Sequence, residues 1–375
     1  MIKAMLVSPF PPQPTGLADY AKRILSLTKD HVDWTVAYPA TALPLDGYRS
    51  IPISEIKQKD IQGPVVYQVG NSPHCEEVIE ALLAFGGTGL FHETNMHHVL
   101  RNRAADSGDW DKYNDHVVHE YGNRSDSFLR IMGKRSKSFS EYDRRLRDNP
   151  LLGKLASACG NIAVLSDTAK LEMEKLAPGR SIVRMGFLPD FLERAEKPRK
   201  KDKTVVIGIA GTFHYGRSWE EMVKAVSMLR KTVDCRLLVT GGGWPETDHP
   251  WITVTGRLPD KEFREQIELF DIALDLRHHT CGETSGSMMD ILRSGIPAVL
   301  STEGTFRDLP ADAVLRIPSE SGAGGGYAAL KYLLDNDEIR RNISEAAADY
   351  FAEVSDRGKC LKEWLSLLER SSGEH

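Results

Sequence analysis

The sequence predicts an α/β protein made of two Rossmann-like halves, each a parallel sheet dressed with helices. Three observations carry this. Short runs rich in Val, Ile and Leu alternate with helical periodicity along the chain, as parallel strands buried on both faces do. Several runs end on Gly or His: Val69 on Gly70, Phe91 on His92, Ala210 on Gly211. The alternation breaks at Glu196-Lys197-Pro198-Arg199-Lys200-Lys201-Asp202-Lys203, a charged run that reads as a solvated linker.

The elements follow in order. Residues 4–7 read as a buried strand, and Pro9, Pro11, Pro12 and Pro14 make an extended loop that ends at Thr15-Gly16. Residues 17–27 are helical, with Leu17, Tyr20, Ala21, Ile24 and Leu27 on one face. A strand, a glycine-bearing loop and a helix form the entry unit of a nucleotide-binding α/β domain. Residues 34–38 and 65–69 are strands, 76–85 a helix, and 89–93 a strand ending on His92 and Glu93. Ligands of open α/β sheets gather at the carboxyl ends of strands, where these two side chains would stand. Residues 99–158 are charged and helical in pattern, interrupted by Gly108, Gly122 and Gly133, an elaboration on the first domain. Strands at 161–166 and 183–187 complete that domain, taken as residues 1–195, before the linker at 196–203.

The second domain, residues 204–350, starts with a strand at 204–210 and a helix at 219–229. Strands follow at 236–239, capped by Gly241-Gly242-Gly243, and at 252–254, leading to Gly256-Arg257. A helix is expected at 261–270, strands at 272–276, 298–300 and 314–317, a flexible loop at 322–326, and closing helices over 327–368. Residues 351–375 are assigned to a closing helix and tail. The most informative stretch is Cys281 to Leu300, C-G-E-T-S-G-S-M-M-D-I-L-R-S-G-I-P-A-V-L. It reads as a loop, a helix starting near Ser285 or Ser287, a Gly stop and a strand. Small residues at a helix start leave the first N–H groups open to an anion, above all a phosphate, and Glu283 would sit beside whatever that phosphate carries.

Composition narrows the function. At 375 residues the chain exceeds a usual single domain, and 41% hydrophobic and 27% charged residues describe a globular protein with an ample core. A net charge of −5 gives no reason to expect nucleic acid. The five cysteines are scattered without a C-x-x-C pair, which suggests a reducing compartment and no zinc cluster. Met1 to Val7 is too short for a signal peptide and no run of about 18 apolar residues exists. The expectation is a cytoplasmic protein, one that could work at the inner face of the membrane. G-x-G-x-x-G is absent after Leu6-Val7 and Walker A is absent throughout, so hydride transfer and nucleotide hydrolysis lose ground. The pairs His97-His98 and His278-His279 are adjacent, too close to serve one ion comfortably, and no metal site is expected.

Four segments resemble the retaining GT-B glycosyltransferases of family four: S-P-F-P-P-Q-P-T-G-L-A-D-Y, V-G-N-S-P-H with L-F-H-E, G-T-F-H-Y-G-R-S-W-E-E-M-V-K-A, and L-R-H-H-T-C-G-E-T-S-G-S-M-M-D-I-L-R-S-G-I-P. The last is the most specific. The resemblance implies a GT-B fold, two Rossmann-like domains facing a central cleft, with the C-terminal helix returning to the N-terminal domain. It implies transfer of a sugar from a nucleoside diphosphate to a hydroxyl of a glycan or glycolipid acceptor, with retention, in bacterial cell-surface polysaccharide synthesis. A nucleotide-sugar epimerase of the same fold and a catalytically weak nucleotide-sugar-binding protein are the alternatives. The sugar nucleotide is a co-substrate, and neither cofactor nor metal is implied.

On matching positions, His92 would hydrogen-bond the transferred sugar and Glu283 would hold its hydroxyls. Gly16 and Gly211 fall on the family's two loop glycines. The segment Thr284, Ser285, Gly286 and Ser287 would meet the diphosphate, and Arg217 stands where the family has a phosphate-binding Lys. Thr212 replaces an Arg common there, so Arg257 or Arg277 would add the second cation. Asp290 aligns with the ribose-binding acid, one residue closer to Glu283 than in E-x7-E, and Glu93 stands for the usual Asp.

Overall fold

Every strand pairing in the computed structural model is parallel, and the first strand of each sheet lies inside it rather than at an edge. The structure describes residues 1–134, 138–192 and 203–372. The run 196–203, apart from Lys203, lies outside the described residues. The chain forms two units. One comprises Met1–Leu188, Cys281–Thr284 and Arg357–His375; the other comprises Pro189–Thr280 and Ser285–Asp356.

In the first unit the strands are β1 (Ile2–Val7), β2 (Val32–Tyr38), β3 (Arg49–Pro52), β4 (Val65–Val69), β5 (Gly87–Phe91), β6 (Cys159–Val164) and β7 (Ile182–Arg184), in the order β3-β2-β1-β4-β5-β6-β7. The helices are α1 (Gly16–Thr28), α2 (Glu76–Phe85), α3 (His97–Ser107), α4 (Trp110–Tyr121), α5 (Ser125–Met132), α6 (Phe139–Arg147), α7 (Gly153–Ala158) and α8 (Asp167–Leu176). β4 is buried over its whole length, the burial expected of a strand covered on both faces, yet it carries Gln68 at its fourth position. Tyr20, Ala21, Ile24 and Leu27 of α1 are buried, on the face that helical periodicity selects. The described residues of 99–158 include α4 to α7, and Val117, Phe128, Met132 and Leu146 join the core of the first unit.

In the second unit the strands are β8 (Val205–Ala210), β9 (Cys235–Thr240), β10 (Ile252–Val254), β11 (Ile272–Asp275), β12 (Ala298–Ser301) and β13 (Leu315–Ile317), in the order β10-β9-β8-β11-β12-β13. Helices α9 (Trp219–Leu229), α10 (Asp260–Ile267), α11 (Gly286–Arg293), α12 (Gly322–Asp335) and α13 (Asp337–Val354) connect them. In each sheet the chain reverses its direction of travel between the first strand and a later neighbour, β1 beside β4 and β8 beside β11. The crevice at the carboxyl ends of such a strand pair is where open α/β sheets hold ligands. α14 (Arg357–Ser372) returns to the first unit, where Glu363 accepts the Gly186 N–H at 2.9 Å and Ser371 Oγ lies 2.6 Å from Thr88 Oγ1.

Several expectations are corrected. The glycines of 322–326 do not form a flexible loop; they open α12. Glu221 Oε2 accepts the Ala323 N–H at 2.5 Å, and a Cβ on Gly326 would stand 3.1 Å from Ala225 Cβ and from Leu276 Cδ1. Close packing on α9 thus offsets a helix-propensity cost of about 1 kcal/mol per glycine. The strand expected at 183–187 stops at Arg184 because Gly186 turns its N–H to Glu363. The edge strand β3, largely polar and preceded by turn residues, has no apolar run to announce it. Residues 351–354 finish α13 before α14 begins. No helix among the described residues is long and apolar enough to cross a membrane.

Candidate functional site

In the first unit the site grows from the ends of β4 and β5. His92 follows β5 directly and donates its N–H to Val69 O at 2.9 Å. Its Nε2 lies 2.9 Å from Gln68 Oε1, and Tyr20 meets the ring edge-on at 4.8 Å between centroids. Burial lowers the His92 pKa from its ordinary value to about 3, so the ring is neutral at physiological pH. Glu93 accepts the Asn71 N–H in a short hydrogen bond. Burial nevertheless pushes its carboxyl up to about 7, with the charge of Glu283 adding to the rise and the Asn71 N–H opposing it.

The segment Cys281–Thr284 packs on the residues after His92. Thr94 donates its N–H to Cys281 O at 2.7 Å, and its hydroxyl lies 2.5 Å from Glu172 Oε2. Gly282 has φ +81°, and a Cβ there would stand 2.4 Å from Thr94 Oγ1, so no other residue fits without a shift. This tight seat turns Glu283, whose Oε2 accepts the Cys281 N–H at 2.7 Å. Thr284 Oγ1 is buried and has no hydrogen-bond partner among the described residues, which leaves a polar group awaiting one. Gly16 opens α1 behind its N-cap Thr15; a Cβ at 16 would meet open space, so the fold itself does not demand glycine there.

In the second unit the site grows from the ends of β8, β9 and β11. Gly211 has φ +103°, and a Cβ would stand 2.7 Å from Ser287 Oγ and 3.4 Å from Arg217 Nη1. Ser285 caps α11, its Oγ accepting the Met288 N–H at 3.3 Å, and Ser287 Oγ donates to Ala210 O at 3.1 Å. The hydroxyls of this first turn are thereby used within the fold, whereas the backbone N–H groups of Gly286 and Ser287 make no hydrogen bond among the described residues.

Beside them lies a buried ionic triad. Arg217 (3% exposed) places Nη2 2.7 Å from Asp275 Oδ2 and Nε 3.1 Å from Oδ1, and Arg277 Nη2 lies 3.0 Å from Asp275 Oδ2. Arg217 also donates to Ala210 O at 2.7 Å and lies 4.8 Å over the Trp244 ring; Arg277 lies 4.4 Å over Phe306. The two guanidinium groups hold the Asp275 carboxyl well below the usual carboxylate range despite its burial. One carboxylate against two guanidinium groups leaves the triad with a net positive charge.

Gly211, Arg217, Ser285, Gly286 and Ser287 are thus brought together, and His92 and Glu283 share the first unit with Glu93. Arg257 is exposed after β10, and a Cβ on Gly242 would stand 3.6 Å from its Cβ, next to the Gly241 that packs on Gly211; Asp290 lies a turn along α11 with its carboxylate 3.8 Å from Arg293 Nε. Sequence reasoning missed Gln68 and Asp275. A glutamine inside Val-Val-Tyr-Gln-Val and an aspartate ending the apolar run Ile272–Asp275 two residues before Arg277 are the signals that could have found them.

No protein-family model matches the chain, and no curated protein matches it in sequence. Solved structures do match it in shape. A sucrose-phosphate synthase from Thermosynechococcus elongatus superposes with a TM-score of 0.68 at 10% identity, over 99% of each chain. WaaG, a glycosyltransferase involved in lipopolysaccharide biosynthesis, gives 0.60 at 13% identity over 98% of this chain and 99% of its own. Anabaena HepE, solved in complex with UDP and glucose, gives 0.60 at 11% identity over 98% and 100%. At such identities the likeness speaks for the fold, which is GT-B.

Proposed function

We propose that this chain is a retaining, metal-independent glycosyltransferase that moves a sugar from a nucleoside diphosphate to a hydroxyl of a glycan or glycolipid. The observation that carries the reading is the open start of α11: two unpaired backbone N–H groups at a helix N-terminus beside a net-positive buried triad. That combination suits a diphosphate. UDP bound to HepE, a protein of the same fold, supports the choice of ligand, and WaaG supports a role in cell-surface polysaccharide synthesis.

In this reading Thr284, Ser285, Gly286 and Ser287 meet the phosphates, with the Thr284 hydroxyl gaining the partner it lacks. Gly211 keeps the approach free of a side chain. Arg217 acts through the field of its triad rather than as a loose fork, because its guanidinium is already committed to Asp275. Exposed Arg257 is the second cation for the nucleotide, Asp290 is assigned to the ribose, and Gly16 to the loop beside the sugar. His92 and Glu283 hold the sugar hydroxyls. When the bond between the anomeric carbon and the phosphate oxygen breaks, its electron pair goes to that oxygen. The helix start and the triad stabilise the charge where it develops. The acceptor hydroxyl attacks from the same face and gives its proton to the departing phosphate, so configuration is retained without a covalent nucleophile.

Thermal-shift and turnover measurements with UDP-glucose, UDP-N-acetylglucosamine and GDP-mannose test this. At least one donor should stabilise the chain and be consumed, and Glu283→Ala should lower that turnover by about 10²-fold, the worth of one preorganised polar contact in a transition state. Silence toward all donors, or an unchanged rate in Glu283→Ala, would sink the reading.

A further inference from the structure

Beneath His92 runs a chain of hydrogen bonds whose protons have one arrangement in which no two acceptors face each other. Ser8 Oγ lies 2.8 Å from Pro9 O, a carbonyl that can only accept, so the single hydroxyl proton of Ser8 points there. Toward Gln68 the Ser8 oxygen must therefore accept. Gln68 Nε2 lies 2.7 Å from Ser8 Oγ and 3.4 Å from Leu17 O, a second obligate acceptor, which sets the NH₂ end of the amide on that side. Its other end, Oε1, faces His92 Nε2 at 2.9 Å and can only accept, so Nε2 carries the proton. A neutral imidazole has one N–H, and Nδ1 is left with a lone pair.

Gln68 is fully buried in the middle of β4, among Val65, Val66, Tyr67 and Val69. An apolar side chain there would spare the fold the desolvation of an amide. Tyr20, set edge-on against the imidazole, keeps the ring from turning. Burial holds the ring uncharged, so that Nδ1 remains an acceptor across the physiological range.

We propose that Gln68 is a positioning residue for His92: it locks the imidazole as the Nε2–H tautomer and aims Nδ1 outward as an acceptor. What His92 reads is then a hydroxyl that donates, and a phosphate oxygen, which can only accept, is refused at this position. This rests on the placement of His92 beside the transferred sugar and specifies the chemistry of that contact.

The test is a ¹H–¹⁵N correlation spectrum of the histidine side chains in the full chain, with His92 identified by its absence in His92→Asn. The wild type should show the Nε2–H tautomer, unchanged from about pH 5 to about pH 8. Gln68→Glu places a carboxylate against Nε2 and should yield a ring with both nitrogens protonated near neutral pH. Gln68→Leu removes the acceptor and should yield a mixture of tautomers. In either folded variant kcat/KM for the consumed nucleotide sugar should fall about 5- to 10-fold, the worth of one neutral hydrogen bond, while the Kd for UDP stays as in the wild type. An Nδ1–H tautomer in the wild type would overturn the proposal, as would a wild-type histidine spectrum in Gln68→Glu. Because the spectra need no substrate, they decide the tautomer even if no donor is turned over.

Discussion

Asp275 offers the sharpest quantitative test of how the second unit is held together. Its carboxylate is 3% exposed and takes hydrogen bonds from two guanidinium groups that are themselves 3% and 4% exposed. Asp275→Asn keeps the size of the side chain but leaves two positive charges buried side by side. Breaking a buried ion pair by removing one partner typically costs about 3–5 kcal/mol, and here two pairs share the lost partner. For a unit of this size 1 kcal/mol moves Tm by about 2–4 °C, so a fall of roughly 10 °C is expected. Thermal unfolding followed by tryptophan fluorescence reads it, since Trp244 stacks directly on Arg217. The pH dependence is a second constraint. Asp275 has a depressed pKa in the folded chain, so its contribution is fully present above the ordinary carboxyl value of 3.8 and is lost only as pH falls below it. The gap between wild type and variant should therefore stay constant from about pH 5 to about pH 8. A loss below about 1 kcal/mol, or a gap that already narrows at pH 5, would refute the account of a triad governed by charge.

Two further outcomes follow from the geometry. Glu93 titrates at about 7 in the folded chain against 4.5 for a free carboxyl, so between these values the folded chain holds a proton that the unfolded chain has released. Stability should fall as pH rises through that window and level off above it, and Glu93→Gln should flatten the slope in chemical denaturation; an unchanged slope would remove Glu93 as its source. Gly208 lies in β8 against Phe270, and a Cβ there would come within 2.0 Å of ring carbons. Gly208→Ala should cost about 1–3 kcal/mol by overpacking, and a urea midpoint like that of the wild type would show that the ring retreats freely.

Much of the fold was legible because parallel strands buried on both faces are written as unbroken apolar runs. Ala4–Val7 and Val205–Ala210 are of this kind, Val65–Val69 is broken only by Gln68, and helices between them carry the 3.6 period. The start of α11 was legible for a local reason: Ser285 is a strong N-cap and the glycine after it leaves the turn bare. What could not be seen was decided by distant partners. Helix at Gly322–Asp335 depends on Glu221, a hundred residues earlier, and on the smallness of Ala225. The commitment of Arg217 to Asp275 spans 58 positions. The proximity of Glu93 to Glu283 depends on Gly282 fitting under Thr94, which no periodicity announces. Sequence pattern reports which face is buried; it is silent on which two charged groups will share a proton or a counter-ion.

The return of α14 has a consequence for how the chain assembles. Trp364, Leu367 and Leu368 are buried, and Ser371 meets Thr88 across 283 positions. The first unit is therefore finished by residues that are made only after the whole second unit. During synthesis the second unit can fold at once, while the earlier one waits with the seat of α14 uncovered. Pairings so distant in sequence close slowly, because a long loop must be ordered before it is rewarded. A chain truncated after Asp356 should accordingly be protected from protease over 205–354 and open to it over 1–188, the reverse of the order of synthesis.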